Sequence, residues 1–133
     1  MKKTLVAFAT DNGKNFIDRH FGDADFYDIY EIDENDVNFI KRIDNTVDKE
    51  DKVHADLKKA KGISNLLLNE NVQVVVSKIF GPNIKRIKKK FVCIIMNDES
   101  IDDSLSKICK KIRAISEEWE KGETKKYLSF VNK

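Results

Sequence analysis

Histidine occurs twice in this chain, at His20 and His54, and a neutral imidazole is a good donor to borderline metals, iron among them. His20 stands in "DRHFGDADF", residues 18–26. That stretch is too polar for a buried strand, yet it carries an aromatic ring that a solvent-facing loop does not need. Its surroundings suit a negatively charged, metal-containing ligand with His20 as the metal donor. Phe21 would shield a bound metal from water, and Gly22 and Gly81 permit close backbone approach. Helix starts expected near residues 53 and 83 offer free N–H groups, with Arg19, Lys78, Lys85 and Arg86 as cations nearby. The same residues also admit a purely structural account. In it His20 is a hydrogen-bonded or exposed loop residue, Phe21 is a core plug, Gly81-Pro82 is a strand-to-helix turn, and "KRIKKK", residues 85–90, is a solvated helix face.

The elements that must position these residues follow from periodicity. "KTLVAFAT", residues 3–10, is an apolar and β-branched run closed by Asp11-Asn12-Gly13, which predicts a strand buried on both faces. "DFYDIYEI", 25–32, and "DVNFIKRI", 36–43, flank Asp33-Glu34-Asn35 and predict an antiparallel hairpin, the second strand alternating Val37, Phe39, Lys41 and Ile43. Val53, Leu57, Ala60, Ile63 and Leu67 mark one face of a helix over 53–70. A buried strand over 71–79, a short helix over 83–90 and a strand over 91–97 come next. Ile101, Leu105, Ile108, Ile112, Ile115 and Trp119 then trace a final helix, with Ser100 and Asp103 as a capping box at its start. The tail "KKYLSFVNK" is apolar enough to dock on the body or on a second subunit.

Direction alone then gathers the loops. If the first strand rises, the second descends and the third, fourth and fifth rise. The connections 11–24, 44–52, around Gly81-Pro82 and 97–100 therefore share one edge. Open α/β sheets bind ligands outside the carboxyl ends of their parallel strands, where strand order reverses. An order 3-2-1-4-5 makes the His20 loop and the Gly81-Pro82 turn neighbours, and His54, at the start of the first helix, belongs to the same edge.

Size and composition bound the possibilities. At 133 residues the chain fits a single domain, 1–133, with a core that needs no staples. Lys and Arg number 25 against 23 acidic residues, so the net charge of +2 gives no field for gathering nucleic acid. No apolar stretch approaches the ~20 residues that span a bilayer, and no signal-like segment opens the sequence. A cytoplasmic protein is expected, without a nucleic-acid or membrane partner, as a monomer or weak homodimer. Cys93 and Cys109 lie among apolar neighbours without a C-x-x-C pattern and are expected to be structural thiols.

"VAFATDNGKNFIDRHFGDADFYDIYEID" resembles the opening of the dinitrogenase iron-molybdenum cofactor biosynthesis domain family: a strand, a Thr-Asp-Asp/Asn-Gly turn and a His-Phe-Gly loop before an aromatic strand. "VHADLKKAKGISNLLLNENVQVVVSKIFGPNIKRIKK" resembles that family's histidine-bearing loop, helix, buried strand and Gly-Pro turn, so the likeness runs from about Lys3 to Asn97. The resemblance implies a three-layer α/β fold of ribonuclease H-like type, with a mixed five-stranded sheet in the order 3-2-1-4-5, strand 2 antiparallel, and helices on both faces. It also implies non-catalytic binding or carrying of the iron-molybdenum cofactor or an iron-sulfur precursor cluster, between metallocluster donor and acceptor proteins. Residue by residue it gives His20 the cofactor contact, Phe21 and Gly22 the shape of that loop, and Gly81 and Pro82 the second loop. The chain departs from the family where relatives carry a His-Gly-His-Gly-like stretch and it has "VHADL", leaving His54 alone. It departs again where "GGIGP" becomes "SKIFGP", placing Lys78 and Phe80 beside the crevice.

Two other functions compete. Ribonuclease H-like folds host metal-dependent nucleases that need clustered carboxylates, for which Asp11, Asp18, Asp23 and Asp25 are the available acids. Alternatively, the final amphipathic helix and tail serve a regulatory interaction module that binds no cluster.

Overall fold

Residues 4–10, TLVAFAT, form the strand that the rest of the fold is built around, because alternate side chains feed two different cores. The computed structural model describes residues 3–46 and 55–131, with 55–60 described by backbone alone. In chain order the elements are β1 (Thr4–Thr10), β2 (Phe26–Ile32), β3 (Val37–Asp44), α1 (Ala55–Leu68), β4 (Val74–Ser77), α2 (Ile84–Lys90), β5 (Val92–Ile95), α3 (Ile101–Lys110), α4 (Ile112–Trp119) and β6 (Leu128–Ser129). One mixed sheet runs β3-β2-β1-β4-β5-β6. β2 is antiparallel to β1 and β3, and β4 is parallel to β1 and β5.

The helices cover both faces. Ala7, Ala9, Val75 and Cys93 pack with Ile63 and Leu67 of α1 and Ile87 of α2. Val6, Phe8, Val74, Val76 and Ile94 pack with Ile101 and Ile108 of α3 and Ile112 and Ile115 of α4. This is the period-two alternation of a fully buried strand. No described helix is long and apolar enough to cross a membrane.

The sheet has six strands rather than the expected five. The tail docks on the body: Leu128 and Ser129 pair in parallel with Ile94 and Ile95, and the Phe130 N–H donates to the Ile95 carbonyl at 2.9 Å. Lys125 anchors it, only 3 % exposed. Its ammonium donates to the carbonyls of Lys89 (3.0 Å) and Gly122 and lies 5.3 Å from the Trp119 ring centroid. Two smaller departures concern regularity. The single stripe from Ile101 to Trp119 is divided at Lys111, whose φ of −102° and ψ of 10° end α3 and start α4. The stripe stays on one face, since Ile108 and Ile112 share a core. In β3 the register shifts between Ile29 and Tyr30 of its partner, so Ile40 has no opposite residue and the expected alternation breaks into exposed Phe39 and Ile40. The hairpin turn is as anticipated, with the Asp33 carboxylate accepting from the N–H groups of Asn35 (2.8 Å) and Asp36 (2.7 Å). Ser100 caps α3 through its hydroxyl, which accepts from the Asp103 N–H at 3.1 Å.

Leu128 and Phe130 are partly buried against the α3/α4 core. A chain ending at Thr124 is therefore expected to lose about 2–4 kcal/mol of stability, and an unchanged urea midpoint would show that the tail contributes nothing. Glu118 gives a second expectation. Burial pushes its carboxyl up, but the Lys126 N–H and the Lys121 ammonium outweigh burial and hold it below the usual glutamate range. A carboxylate with a depressed folded pKa adds stability that is present above its unfolded value of about 4.3 and lost as pH falls through the folded one. Urea midpoints measured from about pH 5 to pH 3 are thus expected to fall more steeply for the native chain than for Glu118→Gln.

Candidate functional site

β1 ends at Thr10, whose hydroxyl folds the following loop. It accepts from the Gly13 N–H (2.9 Å) and donates to the Asn15 carbonyl (2.7 Å). The loop then crosses to the turn after β5, where the Phe16 N–H donates to the Glu99 carbonyl (3.0 Å) and the Ile101 N–H to the Lys14 carbonyl (2.8 Å). Phe16 and Ile17 turn inward and are buried.

At His20 the chain is extended, with φ −61° and ψ 147°, and pairs with Ile79 just beyond β4. The Phe21 N–H donates to the Ile79 carbonyl at 2.8 Å. Phe21 is the core plug: it is fully buried, stacked on Phe80 with centroids 5.2 Å apart and 5.0 Å from Tyr27. The Tyr27 hydroxyl donates to the Phe21 carbonyl at 2.8 Å. Phe21 therefore shapes the loop from beneath and presents no ring to the surface.

The adjacent imidazole goes the other way. His20 is exposed and lies across Gly81: a Cβ at position 81 would stand 2.6 Å from its Nδ1 and 2.8 Å from Cγ and Cε1. Gly81 also holds φ at +72°, a conformation that side-chain-bearing residues avoid. The two loops thus meet at the carboxyl rim, and a glycine is required at their contact for two independent reasons. Pro82 follows it, exposed, and leads into α2. Gly22 is held through its carbonyl, which accepts from the Asn45 amide at 3.0 Å; the same amide donates to the Ala24 carbonyl at 2.7 Å.

The cations are distributed differently from the sequence expectation. Arg19 is paired with Asp11 at 2.8 Å and also donates to the Asp23 carbonyl at 3.0 Å. Lys78 is paired with both Asp18 (2.9 Å) and Glu99 (2.8 Å). Lys85 and Arg86 are exposed on the first turn of α2. Beside His20, a polar cleft of about 380 Å³ is lined by Asp11, Asn12, Asn15, Asp18, Arg19 and Glu99, with Phe16 and Ile17 behind them. His54 lies outside the described residues.

Among the described residues, no three His, Cys, Asp or Glu side chains converge as a metal cage. Cys93 is buried in β5, and burial pushes its thiol up to about 12. The Cys109 thiol donates to the carbonyls of Asp33 (3.0 Å) and Glu34 (3.3 Å), at the hairpin on the opposite rim. Among the described residues, the carboxyl rim thus offers one imidazole and no thiolate. Sequence reasoning missed Asn45, Tyr27 and Ile79, which hold the His20 loop. Tyr27 alone carried a signal, as an aromatic residue with a hydroxyl in an otherwise buried strand.

Over residues 2–111 the chain matches a family model described as dinitrogenase iron-molybdenum cofactor. The match extends beyond Asn97 and takes in all of α3. A solved structure titled "putative dinitrogenase", from Methanocaldococcus jannaschii, aligns with a TM-score of 0.60 at 26 % identity, covering 83 % of this chain and 91 % of that one. No curated protein matches. The extent of the family match, carried by a chain whose His-Phe-Gly loop and Gly-Pro turn meet at one rim, establishes that it belongs to the dinitrogenase iron-molybdenum cofactor family.

Proposed function

We propose that this protein binds and carries an iron-molybdenum-type or iron-sulfur cluster during metallocluster assembly, without catalysing a reaction, and that His20 is its metal donor. One observation carries the proposal: an exposed imidazole is seated on Gly81 at the rim where the sheet's parallel strands end. The cluster is cargo here, and the donor chemistry fits a cargo. A preformed cluster brings its own sulfides and needs few protein donors, whereas a resident iron-sulfur centre is held by several thiolates. One neutral nitrogen suits iron and allows the cluster to leave. Lys85 and Arg86 supply positive charge on the same rim. A cytoplasmic location and transient contacts with donor and acceptor proteins belong to the same reading.

The competing functions find less support. A two-metal nuclease needs free carboxylates, but Asp11 accepts from Arg19 and from the Asp25 N–H (2.9 Å), and Asp18 is paired with Lys78. An interaction module built on the final helix needs an unpartnered apolar stripe, and that stripe is buried in the second core.

Anaerobic reconstitution with iron and sulfide, or with isolated cofactor, is expected to give a charge-transfer absorbance. His20→Ala should weaken binding by about tenfold or more, and equal spectra from the two proteins would remove His20 from the site. Gly81→Ala should cost about 1–2 kcal/mol through the positive φ alone. It should also displace the imidazole and reduce uptake like His20→Ala. Retained uptake by a folded Gly81→Ala protein, judged by circular dichroism, would separate the ring's seat from its function.

A further inference from the structure

Lys78 leaves the end of β4 between the two loops that frame His20. Its side chain is 12 % exposed, while the carboxylates it holds, Asp18 and Glu99, are 83 % and 81 % exposed. The cation is therefore the ordered partner, its stem packed into the fold, and the acids come to it. The hydrogen bond to Glu99 raises the ammonium's pKa, burial opposes this, and Asp18 reinforces it, so the group stays charged.

The position of each partner matters. Asp18 lies two residues before His20. Ile79, next to Lys78, pairs its backbone with His20 and accepts the Phe21 N–H. Glu99 belongs to the turn that receives the Phe16 N–H. One ammonium thus ties the approach to His20 to two strand ends, through carboxylates that line the same cleft as Asp11 and Arg19. We infer that Lys78 is a positioning residue, a clamp on Asp18 and Glu99 that fixes how the loop presents His20 over Gly81. The inference rests on His20 being the metal donor, but the clamp itself is measurable without a cluster.

Lys78→Met keeps most of the buried stem and removes the charge. In the cluster-free protein, hydrogen exchange of the Phe21 amide is expected to accelerate about fivefold, as loss of two modest ion pairs implies, while amides within β4 are unchanged. Lys78→Arg should restore slow exchange. With isolated iron-molybdenum cofactor added under argon, Lys78→Met should retain less protein-bound cofactor absorbance and Lys78→Arg a near-native amount. Unchanged Phe21 exchange, or acceleration shared equally by β4, would overturn the clamp. If His20→Ala leaves uptake intact, the donor role falls, and the Phe21 exchange ratio still confirms or overturns the clamp.

Discussion

The seat of His20 depends on a backbone contact and the ring behind it. The Phe21 N–H reaches the Ile79 carbonyl, and the Phe21 side chain fills the space between Phe80 and Tyr27. Burying an aromatic ring of this size is worth roughly 2–3 kcal/mol, enough to pin a loop that is otherwise polar. His20 is the last extended residue before a single 3-10 turn over Phe21–Asp23, and the two side chains part there, the phenyl ring inward and the imidazole outward. Gly81 completes the arrangement by leaving room for the ring to lie flat against the neighbouring turn.

Much of this was legible in the sequence. Apolar runs closed by turn residues located β1, β2, β3 and the hairpin, and strand directions alone placed the His20 loop and Gly81-Pro82 on one edge. What escaped notice has physical reasons. A two-residue strand such as β6 has no period to detect. The break at Lys111 carries neither glycine nor proline, and the bulge at Ile40 leaves the composition of β3 unchanged. Side-chain pairing was also out of reach: Lys78 meets Asp18 across 60 positions, and nothing local distinguishes that lysine from those exposed on α2. His54, the second candidate donor, lies outside the described residues.

The electrostatics of the rim differ from what a count of cations suggests. Arg19 and Lys78 look like anion-binding groups in the sequence, yet each is neutralised by carboxylates of the same loop system. The neighbouring cleft is correspondingly rich in oxygen. Among the described residues, Lys85 and Arg86 on the first turn of α2 carry exposed positive charge on the Gly81 side of the imidazole. The rim thus has a built-in polarity between that turn and the cleft lined by Asp11, Asp18 and Glu99.

The tail strand lies beyond the portion shared with the family, which ends at residue 111. Without it, β5 would offer a flank of unsatisfied amides and carbonyls to any passing polypeptide. Leu128 and Ser129 occupy that flank, and the opposite border, β3, is distorted by its bulge, a feature that discourages continuation of a ladder. The two margins of the sheet thus differ: one carries the two-residue strand β6, the other an eight-residue strand made irregular by its bulge.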